Sequence, residues 1–211
     1  MRGITEVRAA VRDDLADVAR IHKARFGTHD YTLGQYSNSL IREFYASFLG
    51  RCLFLVHVSD RGIDGFVVGG MREDLFRVQR SFVLNNVGRC CLETLLHPRL
   101  WTAIYRAVRR IFALQPTQLV EFLTPDLPRL LSIAVDESAQ GRGVAAALVT
   151  AFESSICNRY DGYTLSVLKT NQHAVRFYEK LGLTIMVDAY PRSFVFQKTF
   201  PPRDAGSSQE P

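Results

Sequence analysis

Little in this 211-residue sequence points to a metal, a membrane or a disulfide frame. It has four cysteines, at 52, 90, 91 and 157, and no CxxC pair among them. The neighbours Cys90 and Cys91 cannot readily bridge each other, so the four read as reduced thiols. The five histidines, at 22, 29, 57, 97 and 173, show no ligand spacing with cysteine or acid, and no metal is expected. No apolar run approaches the roughly 20 residues that a membrane span needs. The longest, Cys52–Val58 and Phe66–Met71, have strand length. Met1 to Arg8 lack the apolar centre of a secretion signal, which makes the cytoplasm the expected location. Blocks of one charge are missing too. Net charge is +5, but the arginines are scattered, apart from Arg106, Arg109 and Arg110 on one predicted helix. A nucleic-acid surface wants a basic stripe with interleaved aromatics, so none is expected. The mild positive balance suits an anionic small ligand.

What is present is one domain's worth of core. Apolar residues make up 47% and charged residues 22%, which excludes long disorder and leaves a single domain over residues 1–200. The tail 201–211 is proline, glycine, serine and acid, and is expected to be disordered. Val7–Val11 reads as a strand. Asp13 or Asp14 then caps a helix carrying Leu15, Val18, Ala19, His22 and Phe26 on one face. A second helix, Ser37–Leu49, ends at Gly50. Leu53–Val58 and Ile63–Met71 form a hairpin with both faces covered. Residues 72–97 give no clear pattern. Leu100–Leu114 is a predicted helix, and Gln115–Arg129 a loop with a short strand at Leu119–Leu123. The end of the chain alternates: strand Leu130–Val135, helix to about Arg159, strand Tyr163–Leu168, a helix from Asn171, then strands Thr184–Ala189 and Ser193–Phe200. Such an order predicts an α/β (α+β) fold, a mixed, mostly antiparallel twisted sheet with helices on both faces.

The chemistry concentrates between Leu130 and Gly182. Gln140-Gly141-Arg142-Gly143-Val144-Ala145 joins a strand to a helix. Glycines there let backbone approach an anion, and the opening helix points unpaired N–H groups at it. Two known phosphate loops fail on spacing. GxxxxGK[ST] is absent, and the dinucleotide pattern GxGxxG has alanine in its last place. A tight strand-to-helix turn with no ligand remains the alternative.

The following helix narrows the choice. Gln140–Ala145 fits the pattern [QR]xxGx[GA], and Asn171, Ala174, Phe177, Tyr178 and Gly182-Leu183 follow about 30 residues later in that order. Together they resemble the two signatures of the GNAT superfamily of acyl-CoA-dependent N-acetyltransferases. Gly182-Leu183 stands where Gly-Phe is commoner. The resemblance implies that the strand Leu130–Val135 bulges and parts from Thr164–Leu168. Backbone groups of Ile133 and Val135 would then pair with the pantetheine arm of acetyl-CoA. It implies that Gln140, Gly141, Arg142, Gly143, Val144 and Ala145 hold the pyrophosphate. Asn171 matches a residue contacting the same cosubstrate, and equally suits a plain helix cap. Tyr178 matches a general acid that protonates the leaving sulfur; a core tyrosine is its alternative.

The implied activity is acetyl transfer from acetyl-CoA to a primary amine of a small molecule, an amino sugar among the candidates, by direct attack. An amine of pKa near 10.4 is only about 0.1% neutral at pH 7.4, so deprotonation must be supplied. No base is identified among Glu121, Asp126, His29 and Asp30, and a water relay would serve. Ser132 is polar in an apolar strand and could face the acceptor. Cys157 reads as core. The loop Gly27–Gln35, with Tyr31, and Tyr36 just beyond it are expected to build the acceptor side. A protein or peptide N-acetyltransferase, a donor with a longer acyl chain, and a non-catalytic acyl-CoA sensor stay open, as does a homodimer.

Overall fold

The computed structural model describes residues 5–27, 33–96, 127–187 and 193–201. Seven strands form one open sheet in the order β1-β2-β3-β4-β5-β7-β6. They are β1 Glu6–Ala9, β2 Leu53–Ser59, β3 Gly62–Gly70, β4 Arg129–Val135, β5 Gly162–Leu168, β6 Thr184–Val187 and β7 Ser193–Thr199. Every neighbouring pair is antiparallel except β4 with β5. Six helices accompany them among the described residues: α1 Leu15–Phe26, α2 Asn38–Ala46, α3 Arg72–Asn85, α4 Val87–Leu96, α5 Val144–Ile156 and α6 Gln172–Lys180.

The predicted α/β (α+β) class holds, with helices on both faces. On one face α5 and α6 bury Val144, Leu148, Val149, Phe152, Val175 and Tyr178 against Leu55, Val67, Leu130 and Leu165. On the other, α1, α2 and α3 bury Leu15, Val18, Ile41, Tyr45, Leu75 and Val78 against Phe54, Val56, Phe66 and Val68. Strands β2 and β3 are therefore apolar on both sides, which is why their alternation is invisible in the sequence. Each fully buried large side chain contributes about 1.5–3 kcal/mol. Gly69 lets α5 lie close to β3, since a Cβ there would stand 2.5 Å from the Phe152 ring and 2.6 Å from the Arg129 carbonyl oxygen.

Several boundaries differ from expectation for local reasons. Asp14 is the N-cap residue of α1, as expected, but its side chain makes no bond to the helix's own amides. Its carboxylate accepts from both Arg8 guanidinium nitrogens, at 2.7 and 2.8 Å, and from the Val11 amide at 2.8 Å. Ser37, read as the first helical residue, instead caps α2, its Oγ accepting from the Leu40 amide at 3.2 Å. Residues 72–96, which showed no clear pattern, are helical. Their buried Leu75, Val78 and Phe82 do have helical spacing, but the exposed Phe76, Val83 and Leu84 blur it. Cys157 follows the last turn of α5 and is only partly buried, so it is not a core residue. The predictions over Leu100–Leu114, Leu119–Leu123 and 202–211, and those for His29, Asp30, Tyr31, Glu121 and Asp126, lie outside the described residues.

Candidate active site

Strands β4 and β5 start together and then part. Arg129 pairs with Thr164 and Leu130 with Leu165; among the described residues that ladder goes no further, although β4 runs to Val135 and β5 to Leu168. The other edge of β4 is irregular at the same place. Its register with β3 passes from Leu130 opposite Gly69 to Ser132 opposite Val68, leaving Leu131 as an extra residue. Such a bulge bends the strand and sharpens its twist, here away from β5. Across the closed end of the V, Arg129 Nη2 donates to Ser166 Oγ at 2.8 Å. Ile133 and Val135 lie in the parted stretch, paired to Val67 and Gly65 on one edge only. Backbone groups that lose their ladder need partners from elsewhere.

Past β4 the chain turns toward α5. Asp136 accepts from the Ser138 amide at 3.0 Å and from Ser138 Oγ at 2.8 Å. Arg20 Nη1 of α1 donates to its other oxygen at 2.5 Å. These contacts, Arg20 foremost, lower the Asp136 carboxyl to a pKa of about 2. Gln140, Gly141, Arg142 and Gly143 are exposed, while Val144 is buried and Ala145 partly so. Gly141 and Gly143 have φ of 73° and 81°, and a Cβ on either would meet nothing within 4 Å. The backbone of the loop is therefore open to solvent, with Gly143 as the N-cap of α5. The first amides of such a helix have no acceptor within it.

Asn171 and Tyr178 come from α6. Asn171 caps the helix, its Oδ1 accepting from the Ala174 amide at 3.1 Å, so the plain-cap reading is realised. Tyr178 is 5% exposed, with its ring 5.1 Å from Phe177 and 6.1 Å from Phe196. The core-tyrosine reading is realised to that extent. Parted strands, open loop and capped helix follow one another along β4-α5-β5-α6, as the sequence order requires.

The opposite face carries a polar chain that sequence reasoning missed. His22 Nδ1 lies 2.7 Å from Tyr45 Oη, and Tyr45 Oη lies 3.1 Å from Ser132 Oγ. Tyr45 is wholly buried and His22 is 5% exposed, whereas Ser132 is only partly buried. Burial pushes the His22 imidazole down to about 4 and raises the Tyr45 phenol. Only Ser132 gave a sequence signal, as a hydroxyl in an apolar strand. A cavity of about 420 Å³ opens elsewhere, at the paired end of β4, between Cys52, Gly70, Asp74, Pro128 and Arg159. None of the sequence-predicted site residues lines it.

Residues 79–184 match a family model described as an acetyltransferase (GNAT) domain, a span holding both signatures. No curated protein matches the chain. Solved structures share its fold at low identity. An N-acetyltransferase from Staphylococcus aureus Mu50 superposes with a TM-score of 0.60 at 15% identity, covering 92% of this chain and 100% of that one. Ard1 from Thermoplasma volcanium gives 0.56 at 19%, covering 94% and 99%. The ribosomal-protein-S18-alanine N-acetyltransferase from Escherichia coli gives 0.53 at 16%, covering 98% and 99%.

Proposed function

The chain belongs to the GNAT acetyltransferases, and from that premise we propose that it moves an acetyl group from acetyl-CoA to a primary amine of a small molecule. The observation that carries this reading is the β4–β5 ladder that stops after two pairs. A sheet leaves a central strand half-paired only where something else can satisfy its backbone. Beside the gap stands a loop with two left-handed glycines and open space above both.

Bound acetyl-CoA supplies the activated acyl group as a thioester. The chain's own residues do the rest. Amides of Gly141, Arg142, Gly143, Val144 and Ala145 hold the pyrophosphate, helped by the positive end of the α5 dipole and the Arg142 charge. Gln140 flanks them. Backbone groups of Ile133 and Val135 pair with the pantetheine arm, and Asn171 adds a polar contact without giving up its cap. A phenol keeps its proton at neutral pH, so Tyr178 can give one to the departing sulfur. Among the described residues no group of three or more His, Cys, Asp or Glu could hold a metal ion, and none of these roles calls for one. No described helix is long and apolar enough to cross a membrane.

An amino sugar is one candidate acceptor within that class. Thiol release from acetyl-CoA with amino-sugar nucleotides, polyamines, aminoglycosides and peptides tests it. Fastest release with an amino sugar is expected. Release with peptides alone would move the acceptor to protein amines, the substrate named for the Escherichia coli neighbour. Coenzyme A binding with no release from any amine would favour a sensor.

A further inference from the structure

The chain His22–Tyr45–Ser132 takes no part in the assignments above, and its construction is odd for a core. Tyr45 is ringed by Phe44, Phe48, Phe54 and Phe66, at centroid distances of 5.0 to 6.4 Å. A phenylalanine would pack there as well and bring no hydroxyl to satisfy. His22 Nε2 is buried with no hydrogen-bond partner among the described residues. Such a group costs about 1–3 kcal/mol. Stability alone does not account for placing both in one network.

The network has a direction. With His22 neutral and its proton on Nε2, Tyr45 donates to His22 Nδ1. The Tyr45 oxygen then accepts from the Ser132 hydroxyl, whose own lone pairs are left for a further donor. A proton passed inward would end on an imidazole whose other nitrogen has no outlet. The chain therefore orients and does not store a proton. Its outer end is well placed. Ser132 follows the bulge residue Leu131, two positions past the last β4–β5 pair. Its side chain points to the α1–α2 face, since it reaches Tyr45 on α2.

We propose that Ser132 Oγ, held by Tyr45 and His22, accepts a hydrogen bond from the attacking amine and aims its lone pair at the acyl carbon. Ser132 is thus a catalytic residue, and Tyr45 and His22 are positioning residues. The inference rests on the acetyl-transfer reading. In the step served, nitrogen bonds to the carbonyl carbon and the carbon–sulfur bond breaks. The nitrogen releases a proton to water, and the sulfur takes one up.

Steady-state thiol release, with glucosamine, spermidine and an alanine-initiated peptide as probe amines, tests the inference on the full chain. Taking the fastest probe, Ser132→Ala and Tyr45→Phe each lower kcat/KM for the amine about tenfold and leave KM for acetyl-CoA within twofold. Because Tyr45 acts through Ser132, the double variant is no slower than Ser132→Ala. Ser132→Thr keeps the hydroxyl and most of the rate. Unchanged amine kinetics in Ser132→Ala, or losses that multiply in the double variant, would overturn the inference and spare the acetyl-transfer reading. A parent chain that releases thiol with none of the three probes, nor with an amino-sugar nucleotide or an aminoglycoside, would overturn both.

Discussion

The two faces of the sheet are built by different means. Against α5 and α6 lies a mostly apolar cluster that also holds Tyr163 and Tyr178, and the groups left over for a ligand are mostly backbone: the amides of the glycine loop and the open edge of β4. Against α1 and α2 the core takes in polar side chains, His22, Tyr45 and the carboxylate of Asp14. A backbone site can be written in few residues, because it needs glycine at fixed offsets and little else. A side-chain site is assembled across the fold. His22 and Tyr45 are 23 residues apart, and Tyr45 and Ser132 are 87 apart.

The largest expected consequence of that difference is acid sensitivity on the α1–α2 side. His22 titrates near 4 when folded and near 6.5 when unfolded. The folded value is depressed, so the contribution is complete above pH 6.5 and is lost as pH falls toward 4. The loss reaches about 3 kcal/mol. Denaturant unfolding at pH 7, 5.5 and 4 should show it. His22→Gln, which does not titrate, should remove that part of the slope whatever its absolute stability.

The glycine loop should fail in the opposite way, in binding and not in pH dependence. Gly143→Val places a β-branched residue at φ 81°, in a region that such residues avoid. Coenzyme A affinity should fall about 100-fold by titration calorimetry, with the pH slope of unfolding unchanged. A smaller and purely kinetic effect is expected at Tyr178. Tyr178→Phe keeps the ring against Phe177 and Phe196, so kcat should drop about tenfold with coenzyme A affinity preserved. Equal kcat in the two proteins would return Tyr178 to the core. The smallest effect belongs to the link between the faces, Arg20 with Asp136. The arginine is half-exposed, so Arg20→Ala should cost only about 0.2–1 kcal/mol at pH 7. That contribution is complete above pH 4 and is lost as pH falls through about 2, because pairing lowers the carboxyl.

The same contrast explains what could be read before the fold was in view. Strands β2 to β5, α1, α2, α5 and α6 were legible because their apolar runs, helical spacing and end signals are local, as at Gly143 and Asn171. The loop Gln140–Ala145 was legible because only glycine suits its backbone. Helices α3 and α4 were not, since exposed Phe76, Leu84 and Leu92 hide the buried stripe. Asp14 was placed correctly at the start of α1, but its side chain's partner, Arg8 on β1, lies outside any helical pattern. Nor could any local pattern announce that Tyr45 and His22 meet Ser132. A bulge in the strand Leu130–Val135 was expected by resemblance alone, and its place at Leu131 shows only in the pairing with β3.

Amide hydrogen exchange, with and without coenzyme A, tests the central claim most directly. Ligand held between the parted strands and on the loop should slow exchange at residues 131–135 and 140–146. The amides of β1 and α2 should be left as they were. Exchange unchanged across both segments at millimolar coenzyme A would contradict the account.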